Sequence, residues 1–149
     1  MTAEQYAWLF RQGIDNVKTE LSAYPGEESL WIRDRAINNS TGHLAQHLVG
    51  NLRLFVGKTM GKVPYTRERD REFNERQFDR GQLLNMLEET ALIIEQTLAG
   101  RDEAFFAQAF PADVVSIREG QTFGFMLHYL YAHLNYHLGQ INYHRRLLS

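Results

Sequence analysis

Cysteine is absent from the 149 residues. That excludes a disulfide framework, a thiolate metal site and a cysteine nucleophile, so any thiol must arrive with a substrate. Net charge is also small, with 16 Lys and Arg against 18 Asp and Glu. The arginines are interleaved with acids rather than gathered in a basic patch, which argues against a nucleic-acid partner. No apolar run reaches membrane-spanning length, and the start Met1-Thr-Ala-Glu-Gln5 does not read as a signal peptide. A cytoplasmic protein without a membrane partner is expected. Internal repeats, low-complexity segments, a glycine-rich phosphate loop and a Gly-x-Ser-x-Gly elbow are missing as well.

What the chain does have is helical periodicity, over a length suited to one domain, 1–149. Tyr6, Leu9, Phe10, Ile14, Val17 and Leu21 predict a first helix over 2–24, stopped by Tyr24-Pro25-Gly26. Residues 25–38 read as irregular, with Trp31 and Ile32 tucked over one end of the fold. A second helix is expected from Asn39 or Ser40, either of which can cap it, to about Lys58. Asp79 and Gln82 have the spacing of a capping box, so a third helix starts there, carries Leu83, Leu87, Thr90, Ala91, Ile94 and Leu98 inward and closes at Gly100. A short helix follows around Asp102–Phe110. A long last helix spans Thr122–Leu148, with Phe123, Met126, Leu127, Leu130, Leu134 and Ile141 on its apolar stripe. The fold class is all-α.

Polar residues interrupt two of these stripes. The second helix buries Leu44, His47, Leu48, Asn51, Leu52 and Phe55, so an imidazole and an amide stand one turn apart on an apolar face. His43 lies at the margin of that face and reads as a surface or supporting group. On the last helix His137 falls inside the stripe, while His133, Gln140 and His144 line its edge. Residues four apart project together, so His133 and His137 can share one metal ion, and His47 is the candidate third ligand. Three imidazoles with one open position describe a catalytic rather than a structural metal site.

His47-Leu-Val-Gly-Asn51, together with His133-x3-His137-x-Gly139-Gln140-Ile141, resembles the DinB superfamily of four-helix metal proteins. The similarity covers nearly the whole chain, including the order and approximate lengths of the helices. It implies a four-helix bundle with long crossover connections, a His47, His133, His137 triad holding zinc or nickel, and a homodimer. Relatives include transferases and an isomerase that use low-molecular-weight thiols (bacillithiol, mycothiol, glutathione), and many have no known reaction. Within the long connection 57–79, Arg69-Asp70-Arg71-Glu72-Phe73 is similar to a motif of one branch of that superfamily. Most of its charges read as solvated, with Phe73 pinning the loop; Arg69 and Asp70 are candidates for the substrate pocket, as is Tyr136.

Several chemistries are argued against. A zincin carries glutamate directly after the first histidine of its pair, where this chain has Leu134 and, after His43, Leu44. The paired Glu-x-x-His motifs of di-iron bundles are missing. An open position on a divalent cation takes up water or a thiol and acidifies it. Given the resemblance to the DinB superfamily, the leading expectation is a thiol S-transferase acting on a small electrophilic substrate, with Asn51 and Gln140 orienting ligands and Tyr136 or Tyr143 as proton donors. A metal-dependent hydrolase of small esters or amides, or a non-catalytic metal-binding or ligand-sensing bundle, are the alternatives.

Overall fold

Thr2 starts the first helix through a reciprocal cap. Its hydroxyl accepts from the Gln5 backbone N–H while the Gln5 side chain accepts from the Thr2 N–H. The computed structural model describes residues 1–34 and 36–148 and is all-helical, with no strand among the described residues. Arg35, within the stretch expected to be irregular, and Ser149 lie outside the described residues.

Helix α1 (Ala3–Ser22) buries Tyr6, Phe10, Ile14, Val17 and Leu21 of the stripe its periodicity gives, with Leu9 half-buried at its edge. A 3₁₀ turn over Glu27–Trp31, unforeseen in the sequence, buries Leu30. Helix α2 (Thr41–Leu52) is capped by Ser40 and runs directly into π-helical turns over Arg53–Met60. The second helix thus has about its expected length, but its last turns are widened, and Thr59 Oγ1 donates back five residues to the Leu54 carbonyl at 2.9 Å. The connection that follows carries the short α3 (Arg69–Asn74). Helix α4 (Arg80–Leu98) opens with the Asp79–Gln82 capping box and buries Leu83, Leu87, Thr90, Ala91, Ile94 and Leu98 as expected. The next helix is a single turn, α5 (Glu103–Phe106), shorter than expected. The chain leaves it to bridge to the approach of the last helix, where the Phe110 N–H donates to the Gln121 carbonyl at 2.9 Å. Helix α6 (Phe123–Leu147) is capped by Thr122.

Both α1 and α2 pack against α4 and α6, enclosing a core that includes Phe10, Ile14, Leu48, Leu52, Leu87, Ile94, Leu127 and Leu130. Each such side chain contributes roughly 1.5–3 kcal/mol on burial. Arg11 bonds Glu88 and Glu95 at 2.8 Å each, and Asn142 bonds Glu20 at 2.7 Å, so polar pairs close the α1–α4 and α1–α6 seams. Every residue of α2 is buried, because the crossover lies over the face that α4 and α6 leave uncovered. Gln46 ties it down: its amide donates to the carbonyls of Glu72 (3.0 Å) and Glu75 (2.8 Å) and accepts from Gln77 N–H (2.9 Å). The reading of this segment as a mainly solvated charged loop pinned by Phe73 holds for most of its charges, Glu68, Arg69, Asp70, Arg71, Glu75 and Arg76 being exposed. It fails for Glu72, which is buried, and Arg67, which is half-buried. Among the described residues, no helix is long and apolar enough to cross a membrane.

Candidate metal centre

Because α2 is enclosed on every side, His47 cannot turn to solvent, and its ring faces α6, where His133 and His137 stand one turn apart. One ring nitrogen from each of the three lies within 4.8 Å of the others. His133 Nε2 is 3.2 Å from His47 Nε2 and 3.0 Å from His137 Nε2. The Phe73 ring lies over His47, centroids 4.7 Å apart, and shields that side from water.

The outer nitrogens decide what the inner ones can do. His47 Nδ1 is 3.1 Å from Glu72 Oε1, and His137 Nδ1 is 2.6 Å from Gln140 Oε1. Both oxygens are acceptors, so both Nδ1 atoms carry the proton and both Nε2 atoms present a lone pair inward. His133 Nε2, facing two lone pairs, can donate to one of them only. At least one close nitrogen pair is therefore unsatisfied by hydrogen bonding alone. A divalent cation resolves the conflict by accepting all three lone pairs. Tetrahedral zinc with ligands at 2.0–2.1 Å places its nitrogens about 3.3 Å apart, close to the spacings observed. The donor set fits such an ion.

Burial pushes His133 down to about 4, helped by the charges of His137, His47, Arg67 and Arg69. Burial also lowers His137, against the opposing hydrogen bond from Gln140. Both histidines are thereby held neutral, the state a ligand needs. Glu72 behaves differently. Burial alone would raise its carboxyl, but hydrogen bonds from His47 and Arg67, with the Arg67 charge, outweigh that and hold it below the ordinary carboxylate range.

Glu72 and Arg67 are the site residues that sequence reasoning missed. Glu72 sat within the singled-out stretch 69–73, but its neighbours Arg69 and Asp70 were favoured. Asp70 is exposed in the first turn of α3, and the exposed Arg69 places its guanidinium over the Phe73 ring, 5.5 Å from the centroid. Tyr136 is exposed, with its ring 5.3 Å from that of His137 and its hydroxyl accepting from Gln140 at 3.4 Å. Tyr143 is likewise exposed. Asn51 is buried, and among the described residues neither its Oδ1, an acceptor, nor His133 Nδ1, a potential donor on the neighbouring helix, has a hydrogen-bond partner.

Two other histidines depart from expectation. His43 is buried rather than superficial, bonded to Ser40 Oγ at 2.6 Å with its ring edge-on to Trp31. His144, expected at the edge of the stripe, is buried too, between Tyr24, Thr41 and the Ile32 carbonyl.

Fold and site together define an all-helical protein with a three-histidine cluster, buried at His47 and half-buried at His133 and His137, that could hold a metal ion. The model of the family described as "Protein of unknown function (DUF1572)" matches residues 4–149, and the chain belongs to that family. No curated protein and no solved structure matches it.

Proposed function

We propose that this chain is a one-domain, four-helix bundle of the DinB type and a metal-dependent enzyme, a thiol S-transferase acting on small electrophiles. The carrying observation is the convergence of three imidazole nitrogens whose outer partners turn their lone pairs inward. The pairing of α1 and α2 with α4 and α6, and the long connections around α3 and α5, support the bundle type.

His47, His133 and His137 hold the ion, zinc or nickel, while Glu72 and Gln140 keep two of the rings in register. Bound there, a divalent cation supplies a Lewis acid that makes a thiol or a water more acidic. Phe73 covers the His47 side and limits water. Tyr136, exposed beside His137 with its hydroxyl accepting from Gln140, is the candidate proton donor. The thiol reading is favoured over ester or amide hydrolysis by the state of Glu72. Among the described residues it is the carboxylate bonded to these histidines, and Arg67 and His47 already occupy both its oxygens. No carboxylate base is left for water, whereas a thiol, far more acidic than water to begin with, would release its proton to solvent at the cation without a protein base.

The test is a metal-loaded chain offered chloro-aromatic electrophiles with and without an added thiol such as glutathione or bacillithiol. Conjugation that requires both metal and thiol is the expected result. Ester cleavage independent of thiol would favour the hydrolase, and metal binding with no turnover in either assay a sensing role.

We also propose a homodimer joined through α6. No Asp, Glu, Lys or Arg occurs from Phe123 to His144, and Tyr129, Tyr136 and Tyr143 are exposed at seven-residue steps along it. An uncharged, tyrosine-rich face suits the core of an interface with a second copy. Light scattering of the native chain and of Tyr143→Arg reads it, since a native monomer at micromolar concentration would rule it out.

A further inference from the structure

The most fully determined group near the histidines is one that need not touch the metal at all. Glu72 comes from the crossover, 25 residues from His47 in sequence. Its carboxylate is held on one side by Arg67, whose Nε and Nη2 reach Oε2 and Oε1 at 2.9 Å each. On the other side it meets His47 Nδ1 at 3.1 Å, and both side chains are only 6% exposed. Arg67 Nη2 also lies 3.3 Å from His47 Nδ1. A guanidinium has no lone pair to offer, and Nη2 already donates to Oε1 at the shorter distance. With the His47 proton on Nδ1, directed at the same carboxylate oxygen, the two nitrogens are donors side by side converging on Oε1.

Gly50 makes this approach possible. It lies on α2 just under one turn beyond His47. A Cβ added there would stand 2.7 Å from Glu72 Cδ and closer still to Oε2, with Arg67 Nε at 3.2 Å. Alanine is the better helix former, so glycine at a buried mid-helix position needs a packing reason. The carboxylate occupying the space a side chain would take is that reason. The neutral amide of Gln140 meets His137 from one turn along the same helix. His47 instead receives a fixed anion from a distant segment.

We propose that Glu72 is a positioning residue that sets the tautomer and ring plane of His47 for metal binding, that Arg67 pins its carboxylate, and that Gly50 is required to admit it. This rests on the reading that the three histidines hold a divalent ion. An anionic acceptor on Nδ1–H makes the opposite nitrogen a better donor to a metal, and loss of such partners weakens binding by tenfold to a hundredfold.

The experiment uses the full chain, stripped of metal, with zinc alone as the probe. Zinc affinity is measured by competition with a chromophoric chelator for the native chain, Glu72→Ala, Glu72→Gln and Gly50→Ala. Imidazole nitrogen NMR reads the His47 tautomer in each, and circular dichroism checks the helices. The native His47 should carry its proton on Nδ1. Glu72→Ala should weaken zinc binding by about a hundredfold and release the tautomer, whereas Glu72→Gln, which keeps an acceptor, should hold the tautomer and lose about tenfold. Gly50→Ala should keep its helicity and still weaken zinc binding by about tenfold or more. Zinc binding at native strength in both Glu72→Ala and Gly50→Ala overturns the proposal alone, as does a native His47 protonated on Nε2. A native chain that binds no zinc overturns the metal reading and this one with it.

Discussion

Two histidine sites on α6, one buried and one half-buried, differ in where their nitrogens go. His144 is buried, and both its ring nitrogens end on ordinary partners. Nδ1 meets the Tyr24 hydroxyl at 2.5 Å and Thr41 Oγ1 at 3.2 Å, and Nε2 donates to the Ile32 carbonyl at 2.7 Å. That network ties the segment before α2 to the end of α6 and leaves nothing over. Around His133 the nitrogens instead face one another, with fewer protons than contacts. Neither site is open to solvent on all sides, though His144 is buried and His133 and His137 only half so; what separates a structural imidazole from a candidate ligand is the account of its donors and acceptors.

The comparison breaks most sharply under alanine substitution. His47→Ala, His133→Ala and His137→Ala should each take bound metal from about one equivalent to near none while leaving the helical content standing, since the apolar stripes pack without the site. His144→Ala should do the opposite. It keeps the metal but leaves Tyr24, Thr41 and the Ile32 carbonyl short of a partner, at a cost of about 2–3 kcal/mol in stability. Metal quantitation and urea unfolding of the four variants read both effects. Full stoichiometry in His47→Ala would mean a different third ligand, and loss of metal in His144→Ala would erase the distinction. His43→Ala and His128→Ala should also retain the metal.

Most of the helical frame was legible because apolar spacing and caps are local signals. Thr122 and the Asp79–Gln82 pair mark two helix starts correctly, and the stripe of α4 is buried residue for residue. The histidine cluster was legible because it combines a one-turn spacing on α6 with a polar interruption on α2. Glu72 was not, since a charged residue in a charged stretch looks the same whether it faces water or an arginine. Only the path of the crossover, fixed by Gln46 and by the bare backbone at Gly50, turns it inward. Gly50 was in view within His47-Leu-Val-Gly-Asn51 but had no partner until the fold supplied one. His144 was misjudged by the same limit: a helical wheel ranks directions on one helix and does not know that the 3₁₀ segment closes over its end.

A smaller effect sharpens the same contrast through pH. His133 sits at about 4 in the folded chain because burial first, and then the neighbouring histidines and arginines, disfavour its charge; in the unfolded chain it returns to about 6.5. Between those values the unfolded state binds a proton that the folded state refuses, so unfolding is favoured as pH falls. Metal-free protein should therefore lose stability progressively from about pH 6.5 to about pH 4, and the His133 contribution should level off below that. His137 is shifted in the same direction, and so is His43, by burial and the charge of Arg33. His133→Leu should thus flatten the slope without abolishing it. Bound metal adds a further loss over the same range, because protons compete with it for the three nitrogens. Unfolding midpoints of the metal-free native chain and of His133→Leu, taken at half-unit steps from pH 7 to 4, test this. Parallel curves would show that the fold does not hold His133 neutral and would remove one support of the metal centre.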